Sequence, residues 1–99
     1  MDVEIVYRGD KKIKLRIKGE DYTLGNLLQK ALLEDERVEG AGFIIPHPLK
    51  KEIVMHVFMK NEDDDPIQVI KEGIERLKRD MENIKEAIRK GLEEKASED

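Results

Sequence analysis

The sequence has no cysteine, and its 99 residues include only four aromatic ones. The absence of cysteine excludes disulfides, thiolate nucleophiles and cysteine-ligated zinc sites. No apolar run approaches the roughly 18 residues of a membrane span. The N-terminal segment MDVEIVYRGD has acidic residues where a signal peptide would have a basic start and an apolar stretch. These absences predict a soluble protein of the cytoplasm that does not bind a membrane.

Side chains that perform catalysis are also scarce. Thr23 and Ser97 are the only threonine and serine, and His47 and His56 are the only histidines. They form no Ser-His-Asp or Cys-His arrangement, and the HExxH, GxGxxG, Walker A and EF-hand spacings are all missing. The acidic run 62–65 lacks the glycine turn and the spaced ligands of a calcium loop. The sequence therefore predicts no catalytic residue, no metal and no cofactor.

The charge balance argues against nucleic acid as a partner. The chain carries a formal net charge of −4, which disfavours general binding to polyanions. A basic stripe does occur on one face of a predicted strand, at Lys12, Lys14, Arg16 and Lys18. No aromatic residues interleave with it for base stacking, and outward-facing lysines commonly keep a sheet soluble. No direct nucleic-acid contact is expected.

Hydrophobic periodicity predicts the order β-β-α-β-β-α. Alternating residues predict strands near 3–8 and 12–18, and two further strands over 38–45 and 52–60. A helix capped by Thr23 follows the first hairpin, and Asp65-Pro66-Ile67-Gln68 starts a long C-terminal helix with a capping box. We expect an α+β fold, a two-layer sandwich in which two helices pack on one face of a four-stranded, mainly antiparallel sheet. Residues 1–95 would form a single dimerisation domain, and residues 96–99 a polar tail.

The segment GAGFIIPHPL (residues 40–49) is interpreted as a structural joint. Gly40 and Gly42 would permit a bend or a close approach, and residues 43–45 would be buried. Pro46 and Pro48 would end the strand and fix a rigid turn. His47 would then lie at the surface or donate to a nearby carbonyl, without a catalytic role.

The C-terminal helix carries more apolar surface than the domain can cover. A seam of period 3.5 consists of Ile67, Ile70, Ile74, Leu77, Met81, Ile84 and Ile88. A helix over residues 66–94 is about 43 Å long, whereas four strands make a sheet only about 20 Å wide. About half of the seam would have nothing of its own to pack on, and an exposed seam of this kind predicts a protein partner. The alternative is a helix that bends near Gly73 or Gly91 and covers only its own core.

Two sequence blocks resemble a known family. EDYTLGNLLQKALL (20–33) and GAGFIIPHPLKKEIVMHV (40–57) are similar to archaeal RNA polymerase subunit L, which is related to the eleventh subunit of eukaryotic RNA polymerase II and to the N-terminal domain of bacterial α. Members are non-catalytic assembly subunits of DNA-dependent RNA polymerase. The resemblance implies a heterodimer with the D subunit of the archaeal polymerase, a pair that stands in for the bacterial α dimer. That heterodimer is the platform for the large catalytic subunits and for small assembly subunits.

The resemblance also implies which residues form the partner interface. The candidates lie on the two helices and on the third strand: Leu24, Leu27, Leu28, Phe43, Ile74, Leu77, Met81, Ile84 and Ile88. Bacterial α has two arginines where this chain has Gln29 and Lys30. The resemblance therefore does not imply that these two positions contact a large subunit.

Two other classes of function are compatible with the pattern. A small dehydratase on a similar sandwich would use His47 and His56, although such chemistry needs a cluster of histidines. A homodimeric binding module would use the same helical seam.

Overall fold

Two β-hairpin-like strand pairs are each followed by one helix. The computed structural model describes residues 2–98, with side chains described for residues 2–95. The elements are β1 (Asp2–Arg8), β2 (Lys12–Lys18), α1 (Tyr22–Leu33), β3 (Val38–Ile44), β4 (Glu52–Met59) and α2 (Pro66–Glu98). The predicted order and fold class are confirmed, and α2 continues past its predicted end near Glu94. The division into a 1–95 domain and a 96–99 tail stays a prediction, and residue 99 lies outside the described residues.

The sheet has the strand order β1-β2-β4-β3, and every neighbouring pair is antiparallel. Residues that lie opposite each other share a face, so Leu15 and Met55 point to the same side. That side, here called the helix side, carries the buried residues of β2 and, apart from Val54, those of β4. They form one cluster with Leu28 and Leu32 of α1 and with Val69 and Ile70 of α2. The two-layer arrangement follows from this single apolar face.

An irregularity in β1 changes the direction of one aromatic side chain. Val3 and Ile5 pair with residues of the helix side, but the register shifts between Ile5 and Tyr7. Tyr7 consequently lies opposite Lys14 on the other side of the sheet, here called the outer face. Strict alternation would have placed Tyr7 on the same face as Val3 and Ile5. An extra residue at Val6 is the physical cause of the difference.

The helix starts agree only in part with the sequence prediction. The N-cap of α1 is Asp21, whose carboxylate accepts from the Thr23 N–H at 3.0 Å. Thr23 therefore lies inside the helix, and its predicted capping role is wrong. At α2 the predicted cap is confirmed, because the Asp65 carboxylate accepts from the Ile67 N–H at 3.0 Å. Gln68 donates to Glu72 at 3.2 Å, so the reciprocal half of the capping box does not form.

Helix α1 approaches the sheet closely at Gly25. A Cβ atom at this position would lie 2.6–2.8 Å from ring atoms of Phe43 on β3. Only glycine leaves room for the aromatic ring there. This contact sets the distance and the angle at which α1 packs on the sheet.

Helix α2 is held against α1 by charged side chains. Arg76 donates to the Ala31 carbonyl, near the C-terminal end of α1, at 2.7 Å. Arg37 bridges Asp35, in the loop after α1, to Glu72 on α2. Hydrogen bonds from Arg37 lower the pKa of Asp35 from 3.8 to about 2 despite burial of the carboxylate. These bonds fix the direction in which the long helix leaves the domain.

The segment between β3 and β4 is a turn at the surface. The His47 carbonyl accepts from the Lys50 N–H at 3.1 Å, and the side chain of His47 is exposed. Phe43 is half-buried, but Ile44 and Ile45 are exposed, so their predicted burial is wrong. The reason for Ile44 is that it pairs with Val54 on the outer face, which no helix covers. A Cβ atom added at Gly42 would have no neighbour within 4 Å, so the predicted close approach there is also wrong.

Candidate dimerisation surface

The C-terminal half of α2 projects beyond the core. The helix has 33 residues, which corresponds to about 50 Å at 1.5 Å per residue. Every side chain from Lys78 to Lys95 is exposed. Ile84, Ile88 and Leu92 are 55%, 57% and 67% exposed. Within the described residues, the seam therefore outruns the surface that the chain provides for it.

The predicted interface residues separate into three groups. Leu28 is only 1% exposed and belongs to the chain's own core. A second group is half-buried and packs against that core: Leu24, Phe43, Ile74 and Leu77. The third group is exposed: Leu27, Met81, Ile84 and Ile88. The exposed group and the outer edges of Leu24, Ile74 and Leu77 are here called the seam surface, and Phe43 lies apart from it on β3.

An apolar groove lies beside the seam surface, between β1 and the two helices. Its volume is about 340 Å³. Its walls include Val3, Ile17, Leu24, Leu27, Ile74, Leu77 and Met81. Val3 and Ile5 are about half exposed on the helix side, because neither helix extends over β1. The sequence interpretation missed both residues as interface candidates, although their alternation placed them on the same face as Leu15 and Ile17.

A second groove separates α1 from α2 on the other side of Met81. It has a volume of about 560 Å³. Leu27, Leu77 and Ile84 supply apolar walls, while charged side chains such as Lys30 and Asp80 form its rim. An apolar centre with a charged rim is the usual composition of a protein–protein interface. Lys30, which departs from the bacterial α pattern, thus lies beside the candidate surface.

The two histidines are not brought into one site. His47 lies in the turn after β3, whereas His56 lies on β4 opposite Lys14 and Gly42. Burial and the neighbouring Lys14 and Lys12 lower the pKa of His56. Among residues 2–98, no three metal-ligating side chains of the His, Cys, Asp and Glu types are grouped together. Within the same range, no helix has the length and apolarity to cross a membrane.

Comparison with known proteins places the chain in a family. The sequence profile of the RNA polymerase Rpb3/Rpb11 dimerisation domain matches residues 12–93. The chain belongs to this family. The match includes both helices and the three strands that contribute buried residues to the core. The relation to RNA polymerase subunit L that the sequence blocks predicted is therefore confirmed.

Individual relatives agree with the family assignment. DNA-directed RNA polymerase subunit Rpo11 of Methanococcoides burtonii is 37% identical over 93 residues, which is 94% of this chain and 100% of the relative. RPB11 of RNA polymerase II from Schizosaccharomyces pombe is 42% identical over 69 residues, covering 70% of this chain and 55% of that protein. Among solved structures, subunit L from Thermoplasma acidophilum superimposes with a TM-score of 0.79 at 20% identity. That match covers 99% of this chain and 95% of the other, and it establishes the fold.

Proposed function

We propose that this protein is a non-catalytic assembly subunit of a DNA-directed RNA polymerase that forms a heterodimer with the D subunit of the same enzyme. The partner covers the seam surface, and the heterodimer then presents a platform to the large catalytic subunits and to small assembly subunits. The cytoplasm is the corresponding location. The Rpb3/Rpb11 dimerisation domain to which the chain belongs supports pairing with another polymerase subunit.

The observation that carries the proposal is the uncovered half of α2. Met81, Ile84 and Ile88 continue the period of the buried part of the helix, yet they lie beyond the sheet. Burial of one such side chain stabilises a complex by about 1.5–3 kcal/mol when it is complete. The seam residues therefore offer a partner more binding free energy than isolated surface leucines would, and they offer it along one line that fits a second helix.

The grooves on either side of the seam suggest how the partner would be seated. Both are elongated depressions that share Leu27, Leu77 and Met81. A partner helix that crosses α1 and α2 would bury these three residues together with Ile84. Gly25 supports this arrangement indirectly, because the Phe43 contact fixes α1 and hence the position of Leu27.

Co-expression with an archaeal polymerase D subunit tests the proposal. We expect a stable 1:1 complex by light scattering, and self-association or aggregation of the chain when it is expressed alone. A stable homodimer that does not exchange with the D subunit would contradict the proposal and would support a homodimeric module. Loss of a measured dehydratase activity on His47→Ala would support the enzyme alternative.

A further inference from the structure

The outer face of the sheet carries a cluster that the seam surface does not explain. Lys12 of β2 lies between two aromatic rings, with its Nζ atom 5.9 Å from the centroid of Tyr7 and 5.2 Å from the centroid of Phe58. Lys14 and His56 are cross-strand neighbours of this cluster. The sequence interpretation found no aromatic residues among the basic stripe, because Tyr7 reaches this face only through the register shift in β1.

The positive charges of the stripe are neutralised unevenly. Arg16 lies 3.6 Å from the Glu4 carboxylate and 2.7 Å from that of Glu52. Among the ion pairs of the described residues, none involves Lys12 or Lys14. Arg16 is therefore the neutralised member of the stripe. Lys12, Lys14 and Lys18 have no ion pair among the described residues, and the ammonium groups of Lys12 and Lys14 belong to the end that carries the aromatic rings.

Strand β3 leaves the outer face open beside Phe58 and His56. Gly40 pairs with Phe58, and Gly42 pairs with His56, so β3 contributes no side chain at these two places. A Cβ atom at Gly42 would meet nothing within 4 Å. Phe58 and Tyr7 remain 41% and 52% exposed. The result is a shallow surface with an aromatic wall and a positive potential.

We propose that this part of the outer face, defined by Tyr7, Lys12, Lys14 and Phe58, docks an extended acidic segment of a partner polypeptide. Lys12 and Lys14 alternate on one strand, so their stems start about 6.8 Å apart. Carboxylates at alternate positions of an extended segment have the same spacing, and each is placed opposite one ammonium group. The aliphatic parts of such a segment pack on the Phe58 ring.

A polypeptide fits this surface better than a single-stranded nucleic acid. The Lys12 ammonium lies over the Tyr7 ring and over the Phe58 ring, so a base that stacks on either of these ring faces would have to displace it. The net charge of −4 also repels a polyanion. This docking site lies on the opposite side of the sheet from the seam surface, so it is independent of the proposed dimerisation.

Binding of a defined probe to the full-length chain tests the proposal. The probe is a fluorescein-labelled peptide of about ten residues, the length of a long strand, in which aspartate alternates with threonine. We expect saturable binding, with amide chemical-shift changes in ¹⁵N-labelled protein at β2 and β4 and not in α2. Because the contacts are ionic and exposed, binding should weaken at least about fivefold between 0.05 and 0.5 M salt.

Matched variants locate the site. Lys12→Gln combined with Lys14→Gln should weaken binding about tenfold, as expected for two exposed charge pairs. Lys50→Gln combined with Lys51→Gln changes the net charge equally in the loop after β3 and should leave affinity within about twofold. Gly42→Glu and Gly42→Lys enter open space and should weaken and strengthen binding, respectively.

Four results would overturn the proposal: absence of saturable binding, equal affinity in the Lys12 and Lys14 variant, chemical-shift changes centred on α2, or tighter binding of an oligothymidylate of equal length. The last result would identify single-stranded nucleic acid as the occupant instead. None of these outcomes bears on whether the D subunit binds the seam surface.

Discussion

Replacing Ile84 with glutamate tests the seam surface with little effect on the chain's own fold. Ile84 is 55% exposed and lies beyond the buried part of α2. An exposed helical position tolerates glutamate well, since isoleucine has the lower helix propensity. The fold of the single chain should therefore be retained, and a difference in the unfolding temperature of the isolated chain should reflect weaker self-association only. Leu77→Glu is less informative, because Leu77 also packs against the core and its replacement would destabilise the domain itself.

The effect on pairing follows from the same exposure. A partner that covers the exposed half of Ile84 gains about 1–1.5 kcal/mol, and the glutamate variant loses this. Burial of the unpaired carboxylate adds a further cost, which is limited to about 4 kcal/mol at pH 7 because the group can take up a proton instead. The sum, about 3–5 kcal/mol after partial relaxation, corresponds to a loss of at least about a hundredfold in affinity.

Isothermal titration of the D subunit with each variant measures this loss, and circular dichroism gives the unfolding temperature. Ile84→Met keeps the apolar surface and should bind within about threefold of the parent chain. Lys90→Gln, on the exposed surface of the same helix, changes the net charge by the same amount as Ile84→Glu and should also retain affinity. Wild-type affinity of the Ile84→Glu variant would refute the assignment of the seam as the pairing surface.

Three further predictions concern the packing and charges that position the helices. Gly25→Ala should lower the free energy of unfolding by about 1 kcal/mol, because overpacking against Phe43 outweighs the gain in helix propensity. In a Phe43→Leu background the same change should be neutral or stabilising. Equal destabilisation in both backgrounds would contradict the contact. Asp35 has its pKa lowered from 3.8 to about 2, so its contribution of about 2 kcal/mol is present above pH 5 and is lost as the pH falls towards 2. Chemical denaturation of Asp35→Asn across this range should show a smaller loss of stability on acidification than the parent chain, and parallel curves would argue against the Arg37 bridge. His56 has its pKa lowered below 6.5 in the folded chain, so protonation favours the unfolded state and stability should decline as the pH drops below about 6.5; His56→Gln should remove this decline, and an unchanged pH profile would show that the shift has another source.

The element order and the excess of apolar surface were predictable because both depend on local pattern and length. Alternation in β2 and the 3.5-residue period of α2 are properties of consecutive residues, and the width of a four-stranded sheet is a constant of the backbone. The distinction between Leu27 and Leu28 was not predictable in this way. Both belong to the apolar stripe of α1, yet one is exposed and the other is core. The way α1 packs on the sheet decides between them, and this packing includes the Gly25–Phe43 contact between residues distant in the chain.

The outer-face cluster was missed for a related reason. Tyr7 and Lys12 lie close in the chain, on either side of the first turn, but Phe58 is distant. The three residues meet only because β1 contains an extra residue and β2 pairs with β4. No sequence motif predicts the register shift at Val6. The burial of Ile44 and Ile45 was overestimated because an apolar run resembles a central strand, whereas β3 is an edge strand with one face uncovered.

The uncovered C-terminal half of α2 should lower the local stability of the subunit before it binds a partner. Short-range ion pairs such as those of Arg89 with Glu86 and Glu93 hold this stretch together, and each contributes only about 0.2–0.5 kcal/mol. A helical stretch of this length is marginal in water without tertiary contacts. A copy without its proposed partner should thus expose a segment that unfolds locally and is sensitive to proteases. Binding of the partner would then order this helical segment as well as cover it.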